Sequence, residues 1–197
     1  MSKLEEMKKI EKKLLNLRKS PLYEYRKEND YLPVIGQGRL GSKIVFIGEA
    51  PGKNEAKTGK PFCGASGKIL DELLNHIKLE RSDVYVTNIV KDRPQENRDP
   101  SPEEIRAYGP LLDAQLEIIK PKVIATLGRF SMEYIMKSFG LEKDLKVISK
   151  MHGKKFTVKT YWGNTLIIPL YHPAVAIYNR KKLPELKKDF KILSLYS

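Results

Sequence analysis

Four continuous apolar runs divide this chain, and amphipathic stretches with helical spacing lie between them. Residues 44–47 (Ile-Val-Phe-Ile), 84–87 (Val-Tyr-Val-Thr), 123–127 and 165–168 are short, β-branched and flanked by turn formers, as expected of strands buried on both faces. Phe156 to Val158 adds a weaker strand. It forms either a hairpin with 165–168 around Trp162-Gly163-Asn164 or an edge strand ahead of the last central one. Leu4, Met7, Ile10, Leu14 and Leu17 recur at helical spacing among Lys and Glu, which predicts an amphipathic helix within residues 1–19 docked on the body. Ile69, Leu70, Leu73, Leu74 and Ile77 mark a second helix, with Ser66 as its cap. Ser101-Pro102-Glu103-Glu104 is a capping box with proline at the first helical position, opening a helix to about Ile119. Gly128 opens a short helix carrying Met132, Ile135 and Met136, and a basic helix over 184–195 closes the chain. Residues 20–40 show no periodicity beyond a turn at Gly36-Gln37-Gly38, and 52–64 is a Gly- and Lys-rich loop.

Strands alternating with helices predict an α/β fold with a mostly parallel sheet covered on both faces, in one domain spanning 1–197. In such sheets ligands bind beyond the carboxyl ends of the strands. Three strand ends here empty into polar turns: Gly48-Glu49-Ala50-Pro51-Gly52, Thr87-Asn88 and Tyr171-His172-Pro173. The expected site therefore gathers a carboxylate, an amide and an imidazole.

Charge narrows the class of partner. Against 24 acidic residues stand 37 basic ones, a formal net charge of +13. Such a surplus suits a polyanion, nucleic acid first, although Lys-rich solvated helices give the same sum. The single cysteine, Cys63, excludes an intramolecular disulfide and any cysteine-built zinc or iron–sulfur site. The N-terminus mixes charges with Leu and Met, unlike a signal peptide, and no apolar run approaches the ~20 residues of a membrane span. These features predict an intracellular, cytoplasmic protein without a membrane partner. There is no Walker loop, and no Gly-x-Gly-x-x-Gly follows a strand.

The ordered set Gly48-Glu49-Ala50-Pro51-Gly52, Gly59-Lys60-Pro61-Phe62-Cys63-Gly64, Thr87-Asn88-Ile89-Val90-Lys91, Asn97-Arg98-Asp99-Pro100 and Tyr171-His172-Pro173-Ala174 resembles the uracil-DNA glycosylase superfamily, with its family 4 as the nearest branch. The resemblance runs from about Leu17 to the C-terminus. It implies a three-layer α/β/α sandwich around a four-stranded parallel sheet, and hydrolytic excision of a flipped-out uracil from DNA, single- or double-stranded, by a monomer. Phe62 matches the aromatic that stacks on the base; a core Phe is the plainer reading. Asn88 matches the amide that pairs with uracil N3–H and O4, where cytosine presents the reverse pattern; by itself an Asn after a strand is a turn former. His172 matches the donor to uracil O2. Glu49 is the acid of the first turn, suited to orienting water or opposing an oxocarbenium charge. The best-known uracil glycosylases carry an Asp at the position of Ala50, which counts among the base-binding residues together with Glu55 and Asn97. Gly64, Ser66 and Gly67 open a helix whose free N–H groups suit a phosphate, or form a bare cap. Pro173, Ala174 and Val175 begin the loop that enters the minor groove, with Val175 or Ile177 as apolar wedge and Arg180, Lys181 and Lys182 on the flanking phosphates. Gly52 stands where some branches place a tyrosine that rejects thymine.

The chain departs from family 4 at the four cysteine ligands of its [4Fe–4S] cluster. Those positions fall on Leu17, Ser20, Asp92 and Tyr108, so no cluster and no other cofactor or metal is expected, with Leu17 and Tyr108 filling the space by packing. The stretch 91–100 lacks the His through which a related branch bonds covalently to abasic DNA, so ordinary turnover is expected. Two alternatives stand beside uracil excision: the same fold acting on hypoxanthine or xanthine, and an inactive DNA-binding relative.

Overall fold

The computed structural model describes residues 1–196. Among them, six strands form one sheet in the order β1-β3-β2-β4-β6-β5. The strands are β1 (Gln37–Gly38), β2 (Ile44–Gly48), β3 (Tyr85–Asn88), β4 (Val123–Leu127), β5 (Phe156–Thr160) and β6 (Gly163–Leu170). The four central strands run parallel, whereas β1 pairs antiparallel with β3 and β5 antiparallel with β6. The expected four-stranded sheet is therefore the parallel centre of a six-stranded one. Both alternatives for residues 156–168 hold together: β5 and β6 form a hairpin, and β6 is also the last central strand. Its turn is Tyr161-Trp162, with Thr160 paired to Gly163.

Alternation along the strands sorts the core into two layers. Val45, Ile47, Tyr85, Ile124 and Ile167 face one side, where α1 (Lys3–Leu15), α5 (Pro102–Ile119) and α6 (Arg129–Ser138) pack. Ile44, Phe46, Val86, Ala125 and Ile168 face the other, against α4 (Ala65–His76) and α9 (Leu183–Phe190). Helices thus cover both faces. Met7, Ile10 and Leu14 of α1 are buried while Leu4 stays exposed, and the Ser101 capping box forms as its sequence requires.

Short elements differ from the pattern-based expectation. Residues 20–40 hold α2 (Tyr23–Glu28) as well as β1, and the 52–64 loop holds α3 (Lys53–Thr58). Six residues are too few to display a helical stripe. Gly64, not Ser66, caps α4, and the closing helix α9 gives way to a 3₁₀ turn over Lys191–Tyr196. Two further single-turn helices, α7 (Ile148–Met151) and α8 (Val175–Tyr178), lie before β5 and after β6.

The four positions at which the family carries cluster ligands do not supply thiolates, and the residues present do not fit such a cluster. Three of them form a buried polar chain instead of the expected apolar plug. Tyr108 donates to Asp92 Oδ2 at 2.5 Å and accepts from Ser20 Oγ at 2.5 Å. Arg26 reaches Asp92 Oδ1 at 3.4 Å and donates to the carbonyls of Leu15 at 2.9 Å and Leu14 at 3.4 Å, capping the end of α1. Leu17 packs partly buried against the same core. The chain therefore ties the N-terminal segment, the segment after β3 and α5 together by hydrogen bonds. Tyr108→Phe keeps the shape but leaves Asp92 and Ser20 each short of a partner. We expect a loss of about 1–3 kcal/mol, several degrees in Tm, measurable by calorimetry, with the strand-end turns left in place.

Candidate active site

All four parallel strands point their carboxyl ends to one edge, and there the three polar turns converge. Gly48 pairs with Asn88, and Leu127 pairs with Leu170 just before His172. Between the turns lies a pocket of about 170 Å³ lined by Ala50, Gly52, Glu55, Phe62, Ser66, Asn88 and His172. It is far below the ~300–1,000 Å³ of drug-sized sites, so it takes a single small ring. A wider depression of about 470 Å³ lies near Lys60, Cys63 and Arg81, on another side of Phe62. It holds none of the three strand-end groups, whereas Asn88 and His172 line the smaller pocket.

Two glycines let the pocket close. A Cβ on Gly48 would sit 2.3 Å from Asn88 Oδ1 and 2.7 Å from Phe62 Cζ. Only a residue without a side chain lets amide and ring lie over the strand end. A Cβ on Gly67 would sit 1.8 Å from the Phe62 carbonyl oxygen. Gly67 is therefore buried beneath the Phe62 loop, and its part in the site is to admit that loop. Phe62 itself adopts φ +50°, a left-handed conformation seldom held without support. The support is Arg81, which donates to the carbonyls of Phe62 at 3.0 Å and Gly67 at 3.2 Å while paired with Asp71. No local sequence signal marks Arg81 for this task. The Phe62 ring stacks on His172 at 5.7 Å between centroids.

His172 Nδ1 accepts the backbone N–H of Ala174 at 3.1 Å. The imidazole proton must then sit on Nε2, which makes the ring a directed donor. Burial pushes the His172 pKa down to about 4, so the ring is neutral near pH 7. Glu49 lies half-buried beside the pocket, outside its lining. Burial pushes its pKa up to about 7; Asp99 adds to the rise and Arg129 opposes it. Asp99 and Arg129 form an ion pair with each other.

The remaining expected residues divide. Glu55 lines the pocket, and its Oε1 accepts the N–H of Gly64 at 2.9 Å. The start of α4 thus already holds a carboxylate, and the N–H of Gly64 is not free for a phosphate. Ser66 lines the pocket rather than capping the helix. Asn97 is exposed, outside the lining, and accepts from Arg93 Nε at 2.7 Å. Pro173 is buried, Ala174 supplies the N–H that fixes His172, and Val175 is half-buried at the start of α8. Beyond it Ile177 and Tyr178 are exposed, Tyr178 at 90%. Arg180 pairs with Glu72 at 2.7 Å on the surface, a contact weak enough to yield to another anion. Among the described residues, no group of three or more His, Cys, Asp or Glu is arranged to hold a metal, and no helix is long and apolar enough to cross a membrane.

A family model described as the uracil DNA glycosylase superfamily matches residues 35–193. The type-4 uracil-DNA glycosylase of Sulfurisphaera tokodaii is 41% identical over 189 residues, which cover 95% of this chain and 83% of the relative. That of Archaeoglobus fulgidus is 41% identical over 188 residues, 95% of this chain and 92% of the relative. That of Saccharolobus solfataricus is 44% identical over 174 residues, 88% of this chain and 78% of the relative.

Proposed function

The chain belongs to the uracil DNA glycosylase superfamily, and we propose from its pocket that it is a monofunctional enzyme that excises uracil from DNA by hydrolysis. The observation that carries this reading is the convergence of Asn88, Phe62 and a proton-fixed His172 on one pocket the size of a single ring. A base inside a duplex is out of reach of such a pocket, so the nucleotide must be turned out of the stack. Phe62 offers the flipped base a flat apolar face. The Asn88 amide accepts from N3–H and donates to O4, a pattern that cytosine inverts. When the N-glycosidic bond breaks, its electron pair leaves with the base and negative charge gathers on O2. The Nε2–H of His172 meets that charge more strongly in the transition state than in the bound substrate. Glu49 as a carboxylate opposes the positive charge at C1′ and orients the water that adds there; the proton released from the water balances the one that the departing uracil anion takes up.

Glu55, Ala50 and Ser66 complete the wall around the base. Arg180 and the loop from Pro173 to Val175 take the DNA backbone and groove, and the same reading makes the protein a monomer on single- or double-stranded DNA. A lysine nucleophile is not part of this reading, and Lys91, just after β3, is buried and hydrogen-bonded, so it does not serve as one. The test is alkali cleavage of labelled oligonucleotides carrying one uracil. Strand breaks at uracil, and none at cytosine or thymine in the same position, are expected. Breaks at hypoxanthine or xanthine without breaks at uracil would assign another base; none at any base, with salt-sensitive DNA binding retained, would make the protein a binding relative only.

A further inference from the structure

Lys91 has no exposed surface, yet its ammonium nitrogen lies within hydrogen-bond distance of four groups. It reaches Thr87 Oγ1 at 2.7 Å, the Asn88 carbonyl at 2.7 Å, Gln115 Oε1 at 2.5 Å and, at the outer limit, the Ile35 carbonyl at 3.5 Å. Proton accounting makes all four acceptors. The Thr87 hydroxyl spends its own hydrogen on the Ile35 carbonyl at 2.9 Å. Gln115 turns its Nε2 to the Ile35 carbonyl at 2.8 Å and to the Tyr85 hydroxyl at 3.0 Å, which leaves Oε1 for Lys91. Three close acceptors on one nitrogen, with a fourth at 3.5 Å and no donor among them, are the complement of a charged –NH₃⁺; a neutral amine would turn its lone pair on one of them. No carboxylate lies in ion-pair contact with it among the described residues. Such a buried cation costs folding free energy.

Its place suggests the return. The Asn88 carbonyl that it grips belongs to the residue whose amide lines the base pocket, and Thr87 precedes it on the same strand end. We propose that Lys91, as a buried ammonium, is a positioning residue that fixes the β3 strand end so that the Asn88 amide meets the base in register, and that places positive charge behind the pocket where the leaving base becomes an anion. This rests on the uracil-excision reading above. A small displacement of a positioned group costs reaction rate far more than it costs binding.

The charged and titratable groups around the amine are few. Asp113 of α5 acts on it from a distance, its carboxylate accepting from Tyr134 of α6 at 2.9 Å; Tyr85 of β3 shares Gln115, and Glu11 of α1 acts on Tyr85. Burial holds the amine well below the ordinary lysine range, and Asp113 pulls it back up. Removing Asp113 therefore lets Lys91 discharge at lower pH.

The experiment measures single-turnover uracil release, DNA affinity and thermal melting for the parent, Lys91→Met and Asp113→Asn. Lys91→Met is expected to release uracil about tenfold or more slowly with DNA affinity within about twofold. The rate of Asp113→Asn relative to the parent is expected to fall as pH rises, a change that a purely structural lysine would not cause; the comparison cancels the ionisation of the base itself. A parent that releases no uracil would overturn the proposed function and this role with it. A parent that releases uracil, with Lys91→Met within about twofold of it, would overturn the role of Lys91 alone. If Lys91→Met does not fold, the Asp113→Asn ratio decides: a decline with pH supports the role, and a flat ratio overturns it.

Discussion

Replacing His172 by alanine is expected to slow uracil release by about 10²–10³-fold, the usual effect of removing one donor aimed at a developing oxyanion. The geometry argues for the upper part of that range. The Ala174 N–H holds Nδ1 at 3.1 Å, so the ring is committed to donating from Nε2 before substrate arrives. The pocket is small and its walls are set by the fold, so water that enters in place of the ring is poorly placed to repeat the contact. Neutrality matters as well. With a pKa near 4, the imidazole brings no net charge that would bind ground state and transition state alike. The loss should therefore appear in the single-turnover rate, with DNA affinity close to the parent value. His172→Gln keeps a donor on a more mobile arm and is expected to fall between the two. A His172→Ala rate within about threefold of the parent would remove this side chain from the mechanism.

How much of this was open to reading from sequence follows from the range of each interaction. Strand ends were legible because an apolar run followed by a polar turn is a local pattern; Glu49, Asn88 and His172 come from that pattern alone, and the parallel centre of the sheet brings them together. Edge strand β1 was not legible, since Gln37-Gly38 pairs with β3 without any apolar signature of its own. Helices α2 and α3 were too short for a periodic stripe. Phe62 lines the pocket and is buried in the core as well, so both readings of its motif meet in one residue; its positive φ and its hold by Arg81, nineteen residues away, are long-range facts. The same holds for Ser20, Asp92 and Tyr108. Read singly, they are absent cysteines and an aromatic to be packed; only the fold shows that they touch. At Gly64 a tertiary contact competes with a local rule. A helix start does offer free N–H groups, and here Glu55 folds back from α3 to accept one of them.

Glu49→Gln is expected to lower uracil release by about 10²–10⁴-fold, the span typical of a positioned acid or base. The pH profile separates a catalytic carboxylate from a structural one. Burial, reinforced by Asp99, puts the Glu49 pKa at about 7, so the side chain is largely protonated at pH 6 and ionised at pH 8. If the carboxylate is the active form, kcat/KM of the parent rises about tenfold per pH unit below 7 and levels above it, since that ratio reports groups of the free enzyme. His172, with its pKa near 4, stays neutral throughout and adds no limb to this range. Asp99→Asn removes a charge that raises Glu49 and should move the limb to lower pH; Glu49→Gln should lack the limb. Folding stability runs the other way. A carboxyl whose pKa is higher folded than unfolded binds extra protons in the folded state between about 4.5 and 7, so stability falls as pH rises through that window. Glu49→Gln carries no such charge. It should match the parent in Tm near pH 4.5 and exceed it at pH 8, where the parent holds a desolvated anion. A variant that is slower and yet more stable at the pH of highest activity is the behaviour of a charge kept for chemistry against the preference of the fold. Equal loss of activity at every pH, with no gain in Tm at pH 8, would show instead that Glu49 serves to shape the turn after β2.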